Sequence, residues 1–171
     1  GALSQASYTY NQIGDHQGAI RVNDLYVSLF PDAEDASVYL FENAGHYLSL
    51  GEVDKANEIY KRFAEKYPND PRTVQAYCER GLYFLRKGDK ATASKEFTAT
   101  VDAHLRLVGK GGLGSPKYAS IALYQLLREE QEEFERLTFY VPASRVEEVK
   151  ARKKQWRNAL VDKYQQLIRL G

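Results

Sequence analysis

Three histidines, one cysteine, a glycine-rich stretch and a run of basic residues are the places where this chain has the right side chains for chemistry. Metal binding needs ligands brought together at fixed spacing, such as two histidines one helical turn apart or paired cysteines. His16, His46 and His104 share no such spacing, and no HExxH or CxxC pattern occurs. His46, beside Tyr47, reads as packing or surface. A catalytic thiol needs a nearby base to ionise it. Cys78, followed by Glu79, has no evident histidine partner, and a single cysteine forms no intrachain disulfide, so it does not report the redox compartment. Glycine amides ahead of a helix can cradle phosphate. In the stretch Gly109-Lys110-Gly111-Gly112-Leu113-Gly114-Ser115-Pro116, however, the lysine precedes three glycines and a helix, not a strand, comes before it. A P-loop needs the opposite order. We read the segment as an inter-helix loop, and its glycines have no purpose legible in the sequence.

The basic residues Lys150, Arg152, Lys153, Lys154 and Arg157 spread around a helix instead of forming a stripe, with only Trp156 as an aromatic among them. Strong phosphate contact needs a stripe, so they read as a solvated face that partly neutralises the acidic tail at 129–133. A net charge of +1 selects neither nucleic acid nor a strongly acidic partner. The chemistry-bearing residues therefore predict no enzyme: no catalytic residues, no metal, no cofactor, no small-molecule substrate. Weak binding of nucleic acid or anionic lipid through the basic helix is an alternative reading; nucleic acid is not the expected partner.

The elements that position these residues follow from a repeat. Tyr10, Tyr47 and Phe84 lie 37 residues apart (47 − 10 and 84 − 47), and so do Gly14, Gly51 and Gly88, then Ala19, Ala56 and Ala93, then Asn23, Tyr60 and Phe97. Pro31 and Pro68 keep the interval, which lapses at Leu105. Apolar positions between these marks fall at helical spacing. They predict helix pairs over 3–13 and 16–30, 38–50 and 53–67, and 72–86 and 90–108, each pair turning at its glycine. Asp35 or Asp32 is the expected cap of the third helix, and Pro71 suits a first helical turn. A further helix is predicted over 116–137, and one long helix from Pro142 to the end, with Val146, Val149, Trp156, Leu160, Val161, Tyr164, Leu167 and Ile168 along it. No apolar run approaches the roughly 18 to 20 residues needed to span a bilayer.

This skeleton of aromatic, turn glycine, small alanine, aromatic and closing proline resembles the tetratricopeptide repeat, a helix-turn-helix unit of about 34 residues. The resemblance covers about residues 3 to 138. It implies an all-α fold: a right-handed superhelical solenoid of antiparallel helix pairs with units at 1–32, 33–70 and 71–108, a divergent fourth at 115–138, and a long C-terminal helix over 142–171 packed on the array. With no methionine anywhere and a start inside a repeat, the chain reads as a piece of a larger protein, with Gly1-Ala2 a cloning scar.

In that family the first helices line a concave groove. Mapping its groove positions gives Ser4, Tyr8 and Asn11, then Phe41, Gly45 and Leu48, then Gln75, Cys78, Leu82 and Leu85. Of these, Tyr8, Asn11, Phe41, Leu48, Gln75, Cys78, Leu82 and Leu85 are the expected partner-binding residues, for an apolar peptide or helix of another protein. The carboxylate clamp of chaperone adaptors in the family is absent, since Ser4, Tyr8, Glu42, Gln75 and Glu79 stand at its positions and the two glutamates would repel a carboxylate. The phrase Ala56…Tyr60…Phe63…Tyr67-Pro68-Asn69-Asp70 is similar to repeats of bacterial cell-envelope proteins. The later part, with Phe134, Leu137, Pro142 and the basic residues, is similar to repeat proteins of the myxobacterial gliding-motility machinery. These likenesses imply a non-catalytic scaffold in a periplasmic envelope or motility complex. The alternative is a self-associating or spacer segment of a larger protein, with the groove filled by the chain itself.

Overall fold

A computed structural model describes residues 1–138 and 142–170, and after Arg128 the side chains of 132, 142, 144–159, 161, 162 and 165 only. The apolar positions Leu160, Tyr164, Leu167 and Ile168, and most of the acidic tail at 129–133, lie outside the described side chains. The helical spacing of the sequence is realised as α1 (Ala2–Ile13), α2 (His16–Leu29), α3 (Ala36–Ser49), α4 (Val53–Lys66), α5 (Arg72–Arg86), α6 (Lys90–Gly109), α7 (Pro116–Thr138) and α8 (Val146–Leu170), the last preceded by a 3₁₀ turn at Ala143–Arg145. The fold is all-helical among the described residues.

The 37-residue interval has a backbone cause. α1, α3 and α5 each end in a glycine with left-handed φ, 71° at Gly14, 74° at Gly51 and 81° at Gly88, a conformation that costs a residue without Cβ least. In each, the amide of the glycine donates three residues back and the next amide closes a wider loop: Asp15 N to Tyr10 O at 3.0 Å, Glu52 N to Tyr47 O at 2.8 Å and Asp89 N to Phe84 O at 3.0 Å. This Schellman closure reverses the chain identically three times. The residue after each glycine then caps the second helix. Asp15 and Asp89 do so with their side chains, accepting from Gly18 N at 2.8 Å and Thr92 N at 3.0 Å, whereas Glu52 makes no such bond and pairs with Lys55 instead.

Where the two helices of a pair cross, Ala19, Ala56 and Ala93 are buried, since a larger side chain there would separate them. One turn on, Asn23, Tyr60 and Phe97 are buried as well, facing Ser7, Ala44 and Gly81 of the first helix. The pair is size-matched. The smallest partner, Gly81, meets the Phe97 ring, and a Cβ on it would lie 2.5 Å from Phe97 Cε1. The serine of the first pair donates to Asn23 Oδ1 at 2.6 Å.

Each helix packs on the ones before and after it, and α5 also meets α7. Basic side chains tie successive units together by donating to the carbonyl of the linking proline, Lys66 Nζ to Pro31 O at 3.2 Å and Arg106 to Pro68 O at 2.7 Å. The N-cap of α3 and the start of α5 fall at the expected residues, with one difference at that cap. Asp35 stands at the N-cap of α3 without a side-chain cap bond, because its Oδ1 accepts from the Tyr26 hydroxyl at 2.6 Å. Pro71, at φ −55° and ψ −30°, already has helical backbone angles at the N-cap of α5, with Asp70 Oδ1 accepting from Arg72 N at 2.9 Å.

The glycine-rich loop also acquires a role. Gly111, at φ 75°, closes α6 as the other glycines close theirs, with Gly112 N donating to Leu107 O at 2.9 Å. Gly114 then lies against the buried His104 ring, where a Cβ would come 2.2 Å from Nδ1. The next amide, Ser115 N, donates to that same Nδ1 at 3.0 Å. The loop is thus fitted to an imidazole, which fixes the entry to α7.

Candidate functional site

The eight expected partner residues all fall on α1, α3 and α5, the first helices of the three pairs. They are not equally available. Tyr8 is 60% exposed and Leu48 41% exposed, and Asn11 and the neighbouring Gly45 are exposed too. Gln75, Leu82 and Leu85 are half-buried. Leu82 and Leu85 pack, together with Tyr118, Ile121 and Leu126 of α7, around the cluster formed by Cys78, Ala93, Phe97 and Ala122. Cys78 lies at its centre with 0% exposure. Its expected place on a binding surface is therefore corrected: α7 covers it. Desolvation, reinforced by Glu79, pushes the thiol up to about 12, which leaves it an inert core residue.

Phe41 is likewise more a wall than a contact. Its ring stands edge-on to Phe63, centroids 4.8 Å apart, and 5.6 Å from Tyr60. The Arg72 guanidinium covers it, 5.6 Å from the Phe41 centroid and 5.2 Å from that of Phe63. Arg72 in turn is held by a fork of bonds to Asp70, Nε to Oδ1 at 2.9 Å and Nη2 to Oδ2 at 2.6 Å, and reaches Ser37 Oγ at 2.8 Å. Burial raises Asp70, but the Arg72 bonds together outweigh it and hold the carboxyl below its ordinary range. Glu42, half-buried beside this group, is raised by desolvation against the pull of Arg72. Bidentate geometry and the guanidinium over the two phenylalanine rings tie this corner together. Sequence spacing did not reveal it, because Arg72 acts across two units.

Two polar junctions between α2 and α3 were also hidden from the sequence. In the first, a buried ladder runs from Ser7 through Asn23 to Asn43, with Asn23 Nδ2 donating to Asn43 Oδ1 at 3.0 Å and Asn43 Nδ2 to Asp24 Oδ1 at 2.9 Å. The signal was present: Asn23 occupies a slot that holds an aromatic in the other two units. In the second, His16, the opening residue of α2, meets His46, near the end of α3. Their Nδ1 atoms are 3.2 Å apart and the ring centroids 5.4 Å apart. His46 is only 9% exposed. Desolvation, then the neighbouring His16, lower its proton affinity. The two residues are far apart in sequence, so no local motif could have joined them.

Among the described residues no group of three or more His, Cys, Asp or Glu side chains is placed to hold a metal ion. Among them, too, no helix is long and apolar enough to cross a membrane. On α8 the basic run is partly paired within its own helix, Lys150 Nζ lying 2.8 Å from Glu147. Glu132 of the acidic tail pairs with Lys90 and Arg128. Compared with protein-family models and with curated proteins, the chain matches none.

Proposed function

We propose that the chain is a tetratricopeptide-like solenoid whose first helices present a face for an apolar segment of another protein, as a non-catalytic scaffold in a bacterial envelope or motility assembly. The observation that carries this reading is the exposure of Tyr8 and Leu48 on α1 and α3. Each is exposed on a helix that packs on the second helix of its own pair. In the 37-residue frame Tyr8 corresponds to Gly45 and Leu48 to Asn11, so the two stand about one helical turn apart on successive first helices, and large apolar side chains left in water there suit a partner's apolar face. The triplicated glycine closure and the neighbour-to-neighbour packing support the solenoid. The face is expected to be centred on the first two units, because at the third the chain's own α7 already covers Cys78 and flanks Leu82 and Leu85.

The test is retention of proteins from a bacterial envelope extract on the immobilised chain and on a Tyr8→Ala, Leu48→Ala variant. Both substitutions are at exposed positions, so circular dichroism should show equal helicity. A protein held by the first and lost by the second supports the reading. Equal retention, or none, would replace it by the spacer reading, in which the chain's own packing is the function.

A further inference from the structure

The contact between α2 and α3 is held by side-chain bonds at three levels. At one end, the Tyr26 hydroxyl donates to Asp35 at 2.6 Å and the Tyr26 ring meets the Tyr39 ring at a tilt, centroids 4.5 Å apart. In the middle is the asparagine ladder. At the other end stands the His16–His46 pair. The corresponding place between α4 and α5 is filled differently: Tyr83, 37 residues after His46, donates to Asp54 at 2.8 Å, with Lys87 on the same carboxylate at 3.1 Å.

The His pair is sensitive to protons through its geometry. Two facing Nδ1 atoms at 3.2 Å hold one hydrogen between them, as donor to acceptor. His46 Nε2 is buried and has no hydrogen-bond partner. Leaving a lone pair there costs less than leaving an N–H, which favours His46 as the Nδ1 donor and His16 as the acceptor. One added proton forces a hydrogen onto the buried Nε2; a second sets two N–H groups against each other. No carboxylate is among the groups that act on His46. Asp15, beside His16, is engaged at the cap of α2, and Glu52, ahead of α4, is paired with Lys55. The lowered affinity of His46 arises from burial first and from His16 second. A metal centre would fit the pair poorly. Among the described residues no third ligand joins it, and His46 lacks the acceptor that orients a ligating imidazole.

We infer that the His16–His46 pair is an acid-sensitive latch: protonation parts α2 from α3 at this end, loosening the first helix pair while the α4–α5 junction holds. The sign follows from linkage. His46 binds protons less readily in the folded state than at its ordinary value of 6.5, so stability is complete above that pH and is lost as pH falls below it. At the second junction, hydrogen bonding to Asp54 raises Tyr83, and the bond from Tyr83 is the largest cause lowering Asp54. Both shifts move those groups away from this pH window.

The test is amide hydrogen exchange of the whole chain at pH 7.5, 6.5 and 5.5, with rates corrected for the intrinsic pH dependence of exchange. The expected result is a fall in protection of α1 and α2 below pH 6.5, approaching about tenfold per pH unit for each proton taken up on opening, with α4 and α5 unchanged. His46→Gln should abolish the effect, and His104→Gln should leave it intact. If His46→Gln proves less helical, His46→Asn, whose amide stands nearest the place of Nδ1, serves in its place. Flat protection of α1 and α2, an equal fall in every helix, or the same fall in the histidine-pair variant would each overturn the proposal.

Discussion

Gly81 and Gly45 are both helical glycines on first helices, and the same substitution should act on them with opposite sign. A Cβ at Gly45 meets nothing within 4 Å, whereas at Gly81 it would lie 2.5 Å from the Phe97 ring. Gly45→Ala removes backbone freedom from the unfolded chain at no packing cost and should stabilise by about 0.5 to 1 kcal/mol. Gly81→Ala forces α5 away from α6 and should destabilise by about 1 to 3 kcal/mol. Urea denaturation of the two variants measures both, and a gain at Gly81 would mean that the Ser7, Ala44 and Gly81 slots are not size-matched to Asn23, Tyr60 and Phe97. That matching was only half legible in the sequence. The constant alanines at 19, 56 and 93 stand out because their type does not vary, while the slots opposite the large residues vary as their partners do and so look like noise. The histidine pair was beyond reach for a plainer reason, since its members come from different units at positions with no shared spacing.

At the scale of the element, the helix boundaries were largely legible because each depends on a few adjacent residues. The bounds expected for α2, α4, α5 and α6 fall within a residue of those observed, since a glycine in αL, an acidic cap and a proline act locally. The start of α3 was less so. Asp35 has the right type for a cap, but its carboxylate is drawn off to Tyr26 by tertiary contact. The repeat exposes a related local defect in α4. Glu52 sits in the slot where Asp15 and Asp89 cap, with φ −86° and ψ 62° close to the −83° and 76° of Asp89, yet its longer side chain makes no cap bond. Glu52→Asp should supply that bond, worth about 0.5 to 1 kcal/mol. It gives up an exposed pair with Lys55 that contributes at most about 0.5 kcal/mol. A net rise in the denaturation midpoint is expected, and a fall would show that the Lys55 pair, not the cap, sets the start of α4.

For the molecule as a whole, the arrangement of contacts matters more than any one of them. The helices pack chiefly on their chain neighbours, α5 with α7 being the main exception. In an array of this kind stability is close to a sum of local terms, and damage stays near its origin; in a single compact globule it spreads to all elements alike. Gly81→Ala discriminates the two. A loss of one or two kcal/mol multiplies local opening by about 5 to 30. In a solenoid the accelerated amide exchange should appear in α5 and α6, extend to α7 through the cluster around Cys78 and Phe97, and fade toward α1 and α2. Uniform acceleration from α1 to α6 would refute the solenoid and with it the open face on the first two units. The fading pattern would explain why an acid-sensitive latch at His16 and His46 can act on the first pair alone, because nothing in such an array obliges the third pair to follow.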